Sequence, residues 1–340
     1  MVKVCFVAPE KNGIIYHRLE IPFNNLNKVY KDLEITMTNG FTLDNPPENY
    51  DIIVLNRHSW QDEDYITRAK DKGVKIIIDI DDSIELPDWH SSKDNFRYPL
   101  IQERIKYSLS IADEVWCASE YLQTKLGVKS TYIPNAIDFS QPQFIPQKKK
   151  NDKYTIGWIG AANHQFDIEM LYEPLKKLMS RKDYNILLGG VSMHDSITVQ
   201  YWNYIINLLT NGGQLPNDRF IKVEALNVYN YAFMYNLVDC LVAPLHKSEF
   251  TKCKSNIKVL EAGCFSLPII CSNIEPYKEF ISQGLVYSSE GAWDKRMIDL
   301  IKNPIKGVNI GKALNEYVRE FYNIETINKK RYESIINLMG

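Results

Sequence analysis

The segment "KSNIKVLEAGCFSLPIICSN" (residues 254–273) joins a helical pattern to a short apolar run. Ile257 and Leu260 recur at helical spacing, and after Pro268 the residues 269–271 have the pattern of a buried strand. A continuous apolar strand is typical of a parallel sheet that is covered by helices on both faces. The segment therefore predicts an α/β fold.

The same alternation of strands and helices extends through the chain. The predicted strands are 3–9, 51–56, 75–80, 114–119, 130–135, 154–160, 185–190, 220–225, 240–245, 267–272 and 284–288. The predicted helices are 16–31, 62–72, 97–112, 120–126, 166–181, 197–211, 228–237, 255–264 and 291–302, with a helical tail that breaks near Asn323 and a kink or restart at Pro174. This order predicts two Rossmann-like domains with doubly wound parallel sheets, facing a cleft at the carboxyl ends of their strands.

A linker separates the two predicted domains. Residues 139–153, "FSQPQFIPQKKKNDK", contain Pro, Gln and Lys without apolar periodicity. We expect an N-terminal domain at 1–138, a C-terminal domain at 154–314 and a helical tail at 315–340.

Composition limits the classes of function. The 340 residues carry a formal net charge of -2, which argues against constitutive binding of a polyanion. The six cysteines form no CxxC pair, and the sequence predicts neither a signal peptide nor a membrane span. We therefore expect a protein of the reducing cytoplasm.

A first candidate site lies at the start of the helix predicted at 255–264. Lys254, Lys258 and Glu261 are spaced to share one helical stripe, and Ser255 is placed to cap the helix. A helix N-terminus with two lysines suits a diphosphate, and Glu261, about 9 Å deeper, suits two sugar hydroxyls. The alternative is a Lys–Glu pair on a solvated face.

A second candidate site is the segment "GWIGAANHQFD" (157–167). A strand ends at Gly160, and small residues there would let a ligand approach the backbone. Asn163 and His164 could then donate hydrogen bonds to phosphate or sugar. A tight strand-to-helix turn explains the same pattern.

Polar groups also follow the predicted strands of the first half. Asp79, Asp81 and Asp82 close one strand, where they could hold Mg²⁺ or Mn²⁺, bind sugar hydroxyls or cap a helix. Zinc is not favoured, because no His/Glu partner set lies nearby. Together with groups that follow two other strands, they predict an acceptor pocket formed by Gly13, Tyr16, His17, Arg18, Arg57, His58, Asp81 and Asp82.

The sequence contains no G-x-S-x-G elbow, Walker A loop or HExxH motif. Serine hydrolase, P-loop NTPase and zincin chemistry are therefore not indicated.

Four segments together resemble a known family. They are "VWCASEYLQTKL" (115–126) with "STYIPNAIDFSQ" (130–141), "IGWIGAANHQFDIEML" (156–171), and "YNLVDCLVAPL" (235–245) with the segment quoted first. The chain resembles GT-B fold nucleotide-sugar glycosyltransferases of the glycogen-synthase-like retaining group.

The chain departs from that family at several positions. Glu261 matches the second of two family glutamates, which holds the donor ribose, but Cys253 stands where the first would be. Ala136 replaces a usual glycine, and Asn163 and His164 lie where the family has an Arg/Lys pair. The resemblance then implies that the phosphate charge falls on Lys254 and Lys258.

The resemblance implies transfer of a hexose or similar sugar with retained anomeric configuration. The donor would be a UDP- or GDP-linked sugar, used as a co-substrate without a metal or another cofactor. Lys254 and Lys258 would neutralise the leaving diphosphate, with His58 as a helper, and the tail at 315–340 would cross back to the first domain.

The acceptor stays open: a glycan, a lipid-linked glycan, or a modified DNA base as in phage-type enzymes. Two rival functions also stay open. One is a metal-dependent GT-A enzyme that uses Asp79 and Asp81, and the other is a non-catalytic nucleotide-sugar-binding protein.

Overall fold

The computed structural model describes residues 1–57, 63–90, 93, 95, 97–147, 151–193 and 196–340. Within them the chain forms two compact units, each with its own parallel sheet. The N-terminal unit comprises Met1–Asp138, Lys252–Asn256 and Tyr322–Gly340. The C-terminal unit comprises Phe139–Thr251 and Ile257–Phe321.

The sheet of the N-terminal unit has six strands in the order β2-β1-β3-β4-β5-β6, and every neighbouring pair is parallel. The strands are β1 (Val2–Val7), β2 (Leu33–Thr38), β3 (Ile52–Asn56), β4 (Lys75–Ile80), β5 (Glu114–Cys117) and β6 (Thr131–Tyr132). The helices between them are α1 (Gly13–Ile15), α2 (Ile21–Val29), α3 (Glu63–Asp71), α4 (Tyr98–Ile111) and α5 (Glu120–Lys125). A π-helical turn, Tyr16–Glu20, joins α1 to α2.

Strand β4 shows why this sheet forms. Its sequence "KIIIDI" is dominated by β-branched residues, and all but the first are buried. Such residues fit a strand that is covered on both faces. The carboxylate of Asp79 is buried with them, which places a charged group inside the sheet.

Strand β2 was missed by the sequence analysis. It lies at the edge of the sheet, next to β1 only, and its pattern alternates between buried Leu33 and exposed Glu34. A search for continuous apolar runs does not detect an edge strand of this kind, because an edge strand tolerates polar side chains.

The sheet of the C-terminal unit also has six parallel strands, in the order β12-β11-β10-β7-β8-β9. The strands are β7 (Tyr154–Ile159), β8 (Tyr184–Val191), β9 (Phe220–Glu224), β10 (Cys240–Ala243), β11 (Ile269–Cys271) and β12 (Tyr287–Ser288). The helices are α6 (Gln165–Glu169), α7 (Tyr172–Leu178), α8 (Ser196–Leu209), α9 (Glu249–Lys252), α10 (Ile257–Cys264), α11 (Glu275–Ser282), α12 (Trp293–Lys302) and α13 (Pro304–Phe321). The last residue of α9 belongs to the N-terminal unit.

Two glycines let α10 and α13 pack closely. A Cβ at Gly311 would lie 2.0 Å from the carbonyl oxygen of Ser266, and one at Gly263 would lie 2.7 Å from the Val318 side chain. Asn315 adds hydrogen bonds to the carbonyl oxygens at the end of α10, including one of 2.7 Å to Gly263. This packing fixes the position of α10 within the C-terminal unit.

The predicted helices are confirmed in most places and corrected in two. The helix predicted at 166–181 is two helices, with Pro174 in the first turn of the second. The segment predicted as a helix at 228–237 forms a 3-10 helix, Tyr231–Leu237, instead of an α-helix. Helices α9 and α11 were not predicted.

The predicted break in the tail is confirmed. Helix α13 ends at Phe321, and α14 (Ile324–Asn337) begins after Asn323, whose side chain accepts a 2.8 Å hydrogen bond from the Thr326 N–H. Helix α14 packs within the N-terminal unit, where Ser334 accepts a hydrogen bond from the Trp116 indole.

The predicted fold class is confirmed as α/β with two Rossmann-like parallel-sheet units. No helix in the described part of the chain is long and apolar enough to cross a membrane.

Candidate functional site

Helix α10 carries Lys258 and Glu261 in the C-terminal unit. The expectation that Lys254 shares their helical stripe is wrong, because α10 begins at Ile257. Ser255 is not the N-cap residue either, because α10 begins at Ile257 and Asn256 precedes it. The Ser255 hydroxyl accepts a 2.9 Å hydrogen bond from the Asn135 amide. Tertiary bonds within the N-terminal unit therefore hold the residues before Ile257 out of the helix.

The Glu261 carboxylate is the most constrained group on α10. Glu261 is 2% exposed, and its two oxygens accept hydrogen bonds from the hydroxyls of Tyr231 and Tyr235. The Lys258 ammonium lies 3.7 Å from one of the same oxygens. Each carboxylate oxygen thus has its own phenol donor, and the two phenols together orient the carboxylate.

The two phenols act as fixed donors to this carboxylate. Burial raises the pKa of Tyr235 well above its usual value, and the neighbouring Glu261 charge raises it further. The phenol therefore stays protonated and donates its hydrogen to the carboxylate. The 3-10 helix Tyr231–Leu237 supplies both tyrosines, so this short element aligns the carboxylate on α10.

A second buried carboxylate, Asp167, lies at the end of the segment that follows β7. Asp167 is 2% exposed, and its Oδ2 atom lies 2.8 Å from the Nδ1 atom of His164. Its Oδ1 atom accepts a 2.7 Å hydrogen bond from the His246 backbone N–H. The His164 imidazole is 25% exposed and lies edge-on to the Trp158 ring, so it is anchored on one side and accessible on the other.

The charges of both carboxylates act on one buried phenol, that of Tyr277. Burial raises the pKa of Tyr277 well above its usual value, and the charges of Asp167 and Glu261 both contribute to the increase. Both carboxylates therefore lie within electrostatic range of one neutral phenol in the same unit.

Gly160, which follows β7, and Gly190, in β8, serve packing in this structure. A Cβ at Gly160 would lie 2.7 Å from the Trp158 ring, and one at Gly190 would lie 2.2 Å from the Gly160 carbonyl oxygen. Gly190 also has a φ of +93°, which favours glycine. Asn163 is exposed beside His164, and its predicted role in ligand binding stays a prediction.

The N-terminal unit contains a separate polar cluster at the carboxyl end of β4. The buried Arg18 guanidinium binds Asp79 through Nε, at 2.9 Å, and through Nη2. Its Nη1 atom donates to the Ile133 carbonyl oxygen at 2.8 Å and to the Asn135 side chain. Asp79 is 0% exposed and is therefore enclosed by protein partners.

Arg57, Asp81, Asp82 and Lys254 form the more accessible part of this cluster. Arg57 lies 2.6 Å from Asp81, and Lys254 lies 3.1 Å from Asp82. Arg57 has a φ of +41°, an uncommon backbone conformation for a residue other than glycine. Lys254 thus has a carboxylate partner within the N-terminal unit.

The other predicted acceptor residues are mostly buried. Gly13 starts the helical segment that Asn12 caps, with a 2.9 Å hydrogen bond from the Ile15 N–H. Tyr16 and His17 are 3% and 6% exposed in the π-helical turn. His58 lies outside the described residues.

The clustered aspartates do not form a metal site in the structure. Among the residues that the structure describes, no group of three or more His, Cys, Asp or Glu side chains could hold a metal ion. Asp79 is instead paired with Arg18.

Cys253 takes up a position in the core of the N-terminal unit. It is 2% exposed and packs within the hydrophobic cluster that contains β4 and β5. Its backbone carbonyl accepts a 2.8 Å hydrogen bond from the Ser119 hydroxyl. The residue is thus explained by packing.

The sequence analysis missed Asp167, Tyr231, Tyr235 and Tyr277. The i,i+4 spacing of Tyr231 and Tyr235 was the available signal, because in the α-helix predicted at 228–237 it would place two phenols on one side, although the segment forms a 3-10 helix. Their common partner, Glu261, lies at least 26 residues away and could not be identified from local spacing.

No protein-family model matches the chain, and no curated protein sequence matches it. Solved structures do match. Sucrose-phosphate synthase from Thermosynechococcus elongatus superposes with a TM-score of 0.72 at 13% identity, covering 100% of this chain and 99% of that one. HepE of Anabaena in complex with UDP-glucose gives a TM-score of 0.69 at 12% identity. The match covers 99% of this chain and 100% of that one.

An α-glucosyltransferase in complex with UDP and a DNA 13-mer also has this fold. It gives a TM-score of 0.65 at 11% identity, covering 99% of this chain and 100% of that one. At these identities the likeness shows a shared fold, and the fold is one that glycosyltransferases use.

Proposed function

We propose that this protein is a glycosyltransferase that moves a hexose or a similar sugar from a UDP- or GDP-linked donor to an acceptor hydroxyl. The observation that carries the proposal is the buried Glu261 carboxylate, which two tyrosine hydroxyls orient on α10. A carboxylate held in this way can accept from adjacent ribose hydroxyls without reorganising. Fold neighbours with bound UDP-glucose and UDP support a nucleotide ligand.

In this proposal the donor phosphates lie near the start of α10. A helix N-terminus carries unpaired N–H groups and a partial positive charge. Lys258 adds a cation whose side chain is 29% exposed. These groups would neutralise the charge that develops on the departing nucleoside diphosphate.

Transfer would then proceed with retention and without a metal. The departing phosphate can take the proton of the acceptor hydroxyl, so the mechanism needs no strong protein base. The alternative of a metal-dependent GT-A enzyme does not fit, because Asp79 is buried in an ion pair and the chain has two parallel sheets.

The acceptor would bind to the polar cluster of the N-terminal unit. Arg57, Asp81 and Asp82 present charged donors and acceptors that suit a polyhydroxylated compound such as a glycan or a lipid-linked glycan. A modified DNA base is the alternative acceptor, and the fold neighbour in complex with UDP and a DNA 13-mer supports keeping it.

A thermal-shift panel of nucleoside diphosphates and their sugars tests the donor assignment. A ligand at 100 times its dissociation constant adds about 2.7 kcal/mol to the unfolding free energy. We expect Glu261→Ala to abolish the shift, while Asp82→Ala and Glu316→Ala, an exposed change on α13, retain it. A full shift in Glu261→Ala would refute the assignment.

A second candidate function is a non-catalytic protein that binds nucleotide sugars. Cys253 favours it, because the family that the chain resembles has a glutamate at this position, whereas the chain has a buried cysteine without a carboxylate. Incubation of the bound sugar nucleotide with the protein distinguishes the two. Release of the nucleoside diphosphate, by hydrolysis or transfer, supports the enzyme, and its complete absence with every acceptor class supports the binder.

A further inference from the structure

A basic and apolar surface covers the end of α12 and the first turns of α13 in the C-terminal unit. Ile305 is 70% exposed and Val308 is 42% exposed, so two large apolar side chains face solvent within one turn of α13. Three lysine side chains around them are exposed as well. The α13 surface, as we call it, consists of Lys302, Ile305, Lys306, Val308 and Lys312.

Most of this surface lies on the side of α13 that points away from the core. Ile305, Val308 and Lys312 follow one another at steps of three and four, which places them on one stripe of the helix. The buried residues Gly311 and Leu314 lie on the opposite stripe, which packs against α10 and the turn after it. Packing of α13 within its own unit therefore does not explain the exposed apolar side chains.

The charge of this region has a single sign. Residues 300–315 contain three lysines and no aspartate or glutamate. The carboxylate that precedes them on α12, Asp299, is paired with Lys306 at 2.6 Å. Within the described part of the chain, Lys302 and Lys312 form no ion pair. The net charge of the whole chain is -2, so the positive surplus is local to this surface.

We propose that the α13 surface binds the anionic surface of a lipid bilayer. The negative potential of such a bilayer attracts lysines and increases partitioning by about fivefold for each one. Ile305 and Val308 insert at the boundary between headgroups and acyl chains. A nucleic acid or free phosphate would satisfy the lysines but would leave the two apolar side chains in water. The inference goes beyond the proposed function and stands without it.

Binding at this surface is peripheral. The buried stripe of α13 stays packed against α10, where Asn315 bonds to the Gly263 carbonyl oxygen, so only the exposed stripe reaches the bilayer. Three lysines and two apolar side chains give reversible binding that salt weakens by screening. We therefore expect binding to require anionic lipid.

Co-sedimentation of the full chain with lipid vesicles tests the inference. We expect the chain to bind vesicles of phosphatidylcholine mixed with phosphatidylglycerol in low salt, and to dissociate in about 1 M salt, where the Debye length is about 3 Å. Vesicles of phosphatidylcholine alone should not bind it. The triple change Lys302→Gln, Lys306→Gln and Lys312→Gln should lower partitioning about 100-fold, at about fivefold per lysine. Ile305→Ser should lower it about tenfold, because it removes apolar surface that the bilayer would bury.

Matched controls come from the N-terminal unit. Replacement of Lys28, Lys72 and Lys129 by Gln changes the net charge equally at three other exposed lysines. Val29→Ser changes an apolar residue that is 51% exposed on α2 and matches Ile305→Ser. Both controls should bind the anionic vesicles as the wild type does.

Several results would overturn the inference. One is failure of the wild-type chain to bind the anionic vesicles, and another is an equal loss of binding in the control and test variants. If Ile305→Ser binds as the wild type does, the surface is a purely electrostatic site and the inference is wrong; competition by a DNA duplex would then identify a polyanion site. The assay contains no sugar nucleotide, so its result is independent of the proposed function.

Discussion

Arg18 and Asp79 form a fully buried, two-point ion pair between side chains 61 positions apart in the sequence. The pair ties the π-helical turn to β4, and Asn56 adds a 2.9 Å hydrogen bond to the same carboxylate. Burial alone would lower the pKa of Arg18, but the charge of Asp79, its hydrogen bond to Arg18 and the charges of Asp81 and Cys117 together offset this and raise the pKa.

Removal of one partner of this pair should destabilise the N-terminal unit strongly. We expect Asp79→Ala to lower the unfolding free energy by about 3–5 kcal/mol, because it leaves a buried, uncompensated guanidinium. Urea denaturation followed by tryptophan fluorescence measures the change. Glu275→Ala, which breaks an exposed pair with Lys278, should cost at most about 1 kcal/mol. If both variants lost the same unfolding free energy, the buried position of the Arg18–Asp79 pair would not explain its contribution to stability.

Tyr235→Phe tests the alignment of Glu261. The substitution removes the buried hydrogen bond that the Tyr235 hydroxyl donates to the Glu261 carboxylate. We therefore expect the unfolding free energy to fall by about 1–3 kcal/mol. The affinity for a nucleotide sugar should fall as well. Tyr317→Phe, whose hydroxyl binds the exposed Glu279, is the control and should leave that affinity unchanged. Unaltered affinity in Tyr235→Phe would argue against a role for this hydroxyl in orienting the carboxylate.

Gly311→Ala tests the close packing of α10 on α13. The new Cβ would lie 2.0 Å from the carbonyl oxygen of Ser266, in the turn after α10, so α13 must move away from that turn, and overpacking of this kind costs about 1–3 kcal/mol. The matched control is Gly13→Ala, where nothing lies within 4 Å of the new atom. Thermal denaturation gives the Tm of both variants, and we expect only Gly311→Ala to lower it. An unchanged Tm in Gly311→Ala would show that the contact accommodates an added methyl group.

The buried thiols should not react in the native protein. Burial raises the pKa of Cys5 to about 12 and that of Cys117 to about 11, and all six cysteines are free and buried. At pH 8 almost no thiolate is present, so we expect modification by a thiol reagent only after denaturation. Rapid labelling of the folded chain, measured by mass spectrometry, would contradict this.

The sequence predicted the fold well because parallel sheets leave a local signal. Runs such as residues 75–80 are apolar on both faces, so their strands can be recognised without knowledge of their neighbours. The edge strand β2 carries a weaker pattern, since one of its sides pairs with no strand.

The candidate site was less predictable for a physical reason. The helical stripe of Lys258 and Glu261 follows from local spacing, whereas the place of Lys254 depends on its 3.1 Å contact with Asp82, 172 positions earlier. Likewise, the partners of Glu261 come from a separate element. Long-range pairs of this kind have no periodic pattern in the sequence.

The location of α14 has a consequence for biosynthesis. The Asn328 amide binds the Pro22 carbonyl oxygen, and the Trp116 indole binds Ser334, so the last residues of the chain complete the structure built by the first. A ribosome synthesises residues 322–340 only after it has synthesised the C-terminal unit. The N-terminal unit therefore lacks α14 while the C-terminal unit is translated. A nascent chain that stalls before residue 322 would expose the apolar surface that α14 covers to chaperones and proteases.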